Sequence, residues 1–205
     1  MIRLLLKVAL PLVAVFTGFG LAARAVGWRQ PPNAMLRGFI DGCAGKPQPC
    51  WYGIQPGETT IGVAHQQLSG YRYAWVGSSS WNASHLQRYQ TESGGCGLMI
   101  EIVGTGIQAV NLSECPNLRV GDLLAMLGVP DSVCLYYTRF GLMYGGDGET
   151  LIMLPGDGLF SPYTPVESIR LTAYPLPWSS MRWHQFIPFQ RYRDLYPPPD
   201  GTICR

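Results

Sequence analysis

Pro49-Cys50-Trp51-Tyr52-Gly53-Ile54-Gln55-Pro56-Gly57-Glu58-Thr59-Thr60, with the apolar run Ile61 to Leu68 behind it, sets the reading of the whole chain. Pro56-Gly57 marks a turn, Thr59 or Thr60 is placed to cap a helix, and Glu58 sits at the favourable end of the helix dipole. Ile61, Ala64 and Leu68 share one helical face, and Gly70 stands at the expected stop. The plan then returns. Val120, Leu123, Leu124 and Leu127 form a second apolar stripe, closed by Gly128 and Pro130. Val120, Leu123 and Leu127 follow Ile61, Ala64 and Leu68 by 59 positions, and the same offset carries Val110 and Leu112 onto Ile169 and Leu171. This spacing predicts a duplicated unit.

Between the helices the pattern is that of strands. Tyr71 to Val76 alternates, with Tyr71, Tyr73 and Trp75 on one side, and Gly77 to Ser80 reads as a turn. Leu98 to Val103 and Ile107 to Leu112 are joined by the hairpin signal Gly104-Thr105-Gly106, whereas Asn82 to Gly95 is polar and fits either a strand pair or a loop. In the second unit Val133 to Phe140, Leu142 to Tyr144 and Thr150 to Leu154 are separated by Gly-rich turns that lack the alternating carboxylates of a calcium loop. From Tyr174 the chain turns to proline and aromatics, including Trp178 and Trp183.

The 205 residues are 47% hydrophobic and only 14% charged, with 25 glycines and 17 prolines, which favours a β-rich folded body over a disordered or long-helix protein. Net charge is +2, but Arg3, Lys7 and Arg24 fall in the first 25 residues, which hold no acid. Without them twelve basic residues face thirteen acidic ones, too balanced for a nucleic-acid binder.

Met1 to Lys7 carries two positive charges, and Val8 to Ala23 is an uncharged run. Sixteen helical residues span ~24 Å, and Leu4 to Leu6 extend this towards the ~30 Å of a bilayer core. The segment is therefore expected to be an N-terminal transmembrane helix that leaves the remainder outside the cytoplasm; a signal peptide cleaved near Ala23-Arg24-Ala25 is the rival. Cys43, Cys50, Cys96, Cys115, Cys134 and Cys204 form no C-x-x-C pair, and an even count behind an export-type segment predicts disulfides. A Cys43–Cys50 bridge would close a short loop and stabilise the fold by roughly 2.5 kcal/mol. Cys96 with Cys115 and Cys134 with Cys204 follow by elimination among 15 connectivities.

No nucleophile elbow, H-E-x-x-H, Walker loop or dinucleotide fingerprint occurs. His65, His85 and His184 are isolated along the chain, Asp122 and Glu58 fit helix-start electrostatics, and neither catalytic residues nor a cofactor or metal site are assigned. Asn82-Ala83-Ser84 and Asn111-Leu112-Ser113 match the glycan acceptor pattern, which arises readily by chance.

The string from Pro49 to Thr60, followed by Gly121-Asp122-Leu123-Leu124-Ala125-Met126-Leu127-Gly128-Val129-Pro130, resembles a group of bacterial membrane-anchored extracytoplasmic proteins to which no activity is attached. More distantly, its turn-Thr-helix-Gly-x-Pro plan is similar to SmpA/OmlA-type envelope lipoproteins and tandem-repeat β-lactamase inhibitor proteins. That resemblance implies short helices on an antiparallel sheet and a protein-binding role; the lipidation cysteine of the lipoproteins is missing here.

The expected fold is α+β: two tandem units of short helix on antiparallel sheet, over 49–117 and 118–173, behind an anchor or signal peptide (1–25) and a linker (26–48), with a Pro/aromatic tail (174–205). The expected role is a non-enzymatic, single-pass protein of the cell envelope whose partner is another envelope protein. Tyr71, Tyr73 and Trp75 are sheet core on the plain reading and an interaction surface on the functional one. The alternatives are a secreted or anchored hydrolase using His85 or His184, and a small-ligand or glycan-binding module using Trp178 and Trp183.

Overall fold

The structure, a computed structural model, describes residues 11–13, 15, 17–18, 33, 36–81, 84–91, 95–136, 139–145, 150–155, 160–174, 181–183 and 186. The chain divides into two compact units, Met1–Pro32 and Asn33–Arg205. In the first, residues 11–13, 15, 17 and 18 are helical. No helix among the described residues is long and apolar enough to cross a membrane, which corrects the expected transmembrane helix. Most of the apolar run and the Ala23-Arg24-Ala25 site lie outside the described residues.

The second unit is largely β rather than α+β. Its elements run α1 (Arg37–Ile40), α2 (Ile61–Gly70), β1 (Tyr73–Trp81), β2 (Ser84–Thr91), β3 (Gly97–Val103), β4 (Gly106–Ser113), α3 (Val120–Leu127), β5 (Ser132–Tyr136), β6 (Arg139–Tyr144), β7 (Thr150–Pro155), β8 (Ser168–Thr172) and the two-residue β9 (Met181–Arg182). All nine strands form one antiparallel sheet in the order β1-β2-β3-β4-β8-β7-β6-β5-β9. The sheet is continuous across the middle because β4 and β8 pair directly, so among the described residues the two halves share one sheet instead of forming two α/β bodies.

Positions 59 apart hold matching places in this sheet. The β4–β8 ladder pairs Val110 with Leu171, Asn111 with Arg170 and Leu112 with Ile169, so Asn111 and Arg170, themselves 59 apart, face each other at its centre. The helix starts match as well. Ile61 N–H donates to the Thr105 carbonyl (3.3 Å) and Val120 N–H to the Thr164 carbonyl (3.0 Å), while Ile107 and Val166 N–H return to Thr59 (3.3 Å) and Leu118 (3.1 Å). These bonds satisfy amides that a helix start leaves without intrahelical partners. They replace the expected threonine cap. Thr60 is the N-cap residue but makes no side-chain cap bond, and the Thr59 hydroxyl instead accepts the Gln55 N–H at 2.8 Å. At α3, Asp122 Oδ2 accepts the Arg119 N–H (3.1 Å) and an Asn33 Nδ2 proton (3.0 Å), tying the start of this unit to the helix.

One side of the sheet faces a single core that draws on both halves, including Leu68, Ile100, Val110, Leu123, Phe140, Ile152 and Leu171. The opening motif closes one end of it. Tyr52 (φ 47°) and Gly53 (φ 81°) are the left-handed pair of a two-residue turn, and Trp51 and Ile54 exchange backbone bonds across it at 3.0 and 2.8 Å. This turn drives the Trp51 indole into the core against Phe39, with ring centroids 4.9 Å apart. The Cys43–Cys50 disulfide joins the turn to the segment after α1.

Candidate functional site

β1, which pairs only with β2 among the described residues, is built by the chain reversal after α2. Arg72 adopts φ 61°, Tyr71 N–H donates to the Leu68 carbonyl at 3.0 Å, and the strand begins at Tyr73. Here the three aromatics expected on one side part company. Tyr71 belongs to the helix cap and is 37% exposed, Tyr73 is core at 7%, and Trp75 is 56% exposed. Tyr52 stacks between the first two, its centroid 4.1 Å from Tyr71 and 5.9 Å from Tyr73. Desolvation, and then the neighbouring Tyr52, push the Tyr73 hydroxyl well above its ordinary ionisation range.

A bulge between Trp75 and Gly77 shapes the outer part of β1. Trp75 pairs with Tyr89 and Gly77 with Arg88, which leaves Val76 as the extra residue. Two consecutive large apolar side chains are therefore open to solvent, Val76 at 52%. Gly77 to Ser80, expected as a turn, continue the strand because β2 is present to pair with them.

Alternation along the strands places Arg88, Met99, Glu101, Asn111 and Arg170 on the sheet face away from the core. A hollow of 340 Å³ opens there beside Val76, lined by Arg88, Met99 and Glu114 among others. Farther in, Arg170 reaches both Glu101 (Nη2 to Oε2, 2.8 Å) and Asn111 (Nη1 to Oδ1, 3.1 Å), and Ser84 donates to the other Glu101 oxygen at 3.3 Å. The Asn111 amide nitrogen is buried, and the residue lies mid-strand, so this acceptor motif is closed to a glycan.

The described histidines have neutral partners. Tyr89 donates to Gln87 Oε1 at 2.7 Å and lies 3.1 Å from His65 Nδ1, and burial pushes its hydroxyl up to about 12. His85 Nδ1 lies 3.1 Å from the Ser80 hydroxyl. Neither histidine has a carboxylate within hydrogen-bond reach among the described residues, and no group of three or more metal-ligating side chains occurs among them. His184 and Trp178 lie outside the described residues. Trp183 is half-buried against Phe160 and Phe186, with centroids 5.4 and 5.8 Å away, so it packs with its own chain.

Four of the six cysteines form Cys43–Cys50 and Cys96–Cys115. Cys134 is also disulfide-bonded, and Cys204 lies outside the described residues. The residues that sequence reasoning missed are Val76, Arg88, Met99 and the Glu101–Arg170–Asn111 group. Only the offset itself held a signal for the last, since it sets Asn111 and Arg170 at matching positions.

The sequence matches no protein-family model, and no curated protein matches it. Among solved structures, a cysteine-rich secretory protein from Staphylococcus aureus subsp. aureus Mu50 is similar with a TM-score of 0.35 at 9% identity, over 65% of this chain and 54% of that one. This chain spans about half the length of that protein, and so loose a likeness carries no argument about fold or activity.

Proposed function

We propose that this protein is a non-enzymatic binding protein of the extracytoplasmic space, which engages another protein of that compartment through β1 and the sheet face beside it. The carrying observation is the adjacent exposure of Trp75 and Val76 on an uncharged edge strand. Val76 lines the hollow and Trp75 precedes it on the edge; exposed aromatic and aliphatic anchors of this kind are what protein interfaces bury, and they carry most of the binding energy. Arg88 and Glu114 give the hollow one charge of each sign, which suits a mixed protein surface better than a polyanion. Two disulfides support an oxidising compartment.

The test is photo-cross-linking in cells with benzoylphenylalanine at position 75. A discrete adduct of defined mass is expected from position 75 and none from position 163, where Tyr163 is exposed in the turn before β8. Trp75→Glu should lower capture of the cross-linked partner at least about tenfold, the loss of one anchor, while changing stability by only about 0.5 kcal/mol. Equal labelling from both positions, or no adduct from either, would remove the proposal.

A further inference from the structure

We infer that the partner binds β1 as an extended segment, added antiparallel to the edge as a further strand, in the place that β9 occupies on β5. This rests on the protein-binding reading of the same edge and specifies the form of what binds.

The first support is the internal equivalence. Tyr73 and Ser132 both open the strand that follows a helix, and they are 59 positions apart. On the outer edge of β5, β9 pairs antiparallel with Ser132 opposite Arg182 and Val133 opposite Met181. The matching positions on β1 are Tyr73 and Ala74, and β1 pairs only with β2 among the described residues. One flank of the sheet therefore shows a short extended segment in place, and its counterpart has none among the described residues.

The second support is how little protects that edge. Folded proteins blunt free edges with charges, prolines or short strands. β1 runs nine residues, Tyr-Ala-Trp-Val-Gly-Ser-Ser-Ser-Trp, with no charge and no proline. Its one irregularity, the bulge at Val76, leaves the segments Tyr73 to Trp75 and Gly77 to Trp81 regular on either side. A strand laid along them gains backbone hydrogen bonds irrespective of sequence, and its alternate side chains set specificity.

The register also assigns a charge. Asp131, which precedes Ser132 on β5, accepts the Gly145 N–H on its carboxylate at 2.6 Å. On β1 the position of Asp131 is held by Arg72, which is exposed. An exposed arginine at this end of β1 favours an acidic residue opposite Tyr73 in the incoming segment, near its C-terminal end because the pairing is antiparallel.

The experiment pans a phage-displayed random nonapeptide library on the immobilised full-length protein and maps the selected peptides by amide hydrogen exchange. Expected are protection of amides within 73–81, an acidic residue towards the peptide C-terminus, and a switch to basic residues when the library is panned on Arg72→Glu. Val76→Lys should weaken the selected peptides at least about tenfold, charge being a known guard of sheet edges. Peptides that protect only Arg88, Met99 and the hollow would overturn strand addition and leave the binding face standing. Protection of β1 that grows with concentration of the protein alone would make the occupant a second copy, and overturn the inference. Enrichment of no peptide would overturn it too, and a silent cross-linker at position 75 would then remove the binding reading with it.

Discussion

Gly38 shows how tightly single residues are fitted around the opening motif. A Cβ at this position would fall 2.4 Å from the Trp51 ring, whose indole is buried and enclosed by the fold. Gly38→Ala is expected to destabilise by about 1–3 kcal/mol, the usual cost of overpacking, and thermal unfolding measures it. The buried tyrosines set a second residue-scale expectation. The Tyr89 hydroxyl is pushed from 10.0 up to about 12 by burial, and desolvation also raises Tyr52, Tyr73 and Tyr144. An unfolded tyrosine ionises near 10, whereas folded Tyr89 keeps its proton. Its contribution is therefore complete below pH 10 and is lost as pH climbs to about 12. Ultraviolet titration should show a late tyrosine class that disappears once the protein is unfolded in denaturant, and one common transition at ordinary pH would contradict this.

At the scale of elements, the helices and the β3–β4 hairpin could be read from the sequence because their signals are local: a 3.6-residue stripe ending near a glycine, or two alternating runs around Gly104-Thr105-Gly106. β1 could not be read to its full length. Gly77-Ser78-Ser79-Ser80 has turn composition, and only pairing with β2, itself polar, holds it extended. The expectation that Tyr71, Tyr73 and Trp75 form one surface failed for a different reason: Tyr71 is taken into the helix cap, and although Tyr73 and Trp75 share a side of the regular start of β1, only Tyr73 is covered by the core. The Cys96–Cys115 bridge clamps the β3–β4 hairpin where its strands begin and end. Replacing both cysteines by serine is expected to cost about 3 kcal/mol for a loop of this length. Denaturant titration of the double variant should show the midpoint fall; an unchanged midpoint would deny the bridge that role.

For the molecule as a whole, the sheet and the large core shared by its halves make β4 and β8 the structural centre. Their amides at 109–113 and 168–172 should be among the slowest to exchange hydrogen, opening only with global unfolding, and unfolding of the second unit should be one cooperative transition. Two separate transitions would mean the halves hold themselves up independently. The repeat spacing was visible in the sequence, yet nothing in it said that the halves would share a ladder, because strand pairing between distant segments leaves no local mark. The chance composition of that ladder has a further meaning. Two identical subunits meeting on a dyad must set each residue at the axis against its own copy, so a central arginine would confront an arginine. Carried on one polypeptide, the two central places are free to differ. Asn111 and Arg170 take them as acceptor and donor, and a single carboxylate, Glu101, then neutralises a half-exposed charge that a true dimer would have to carry twice.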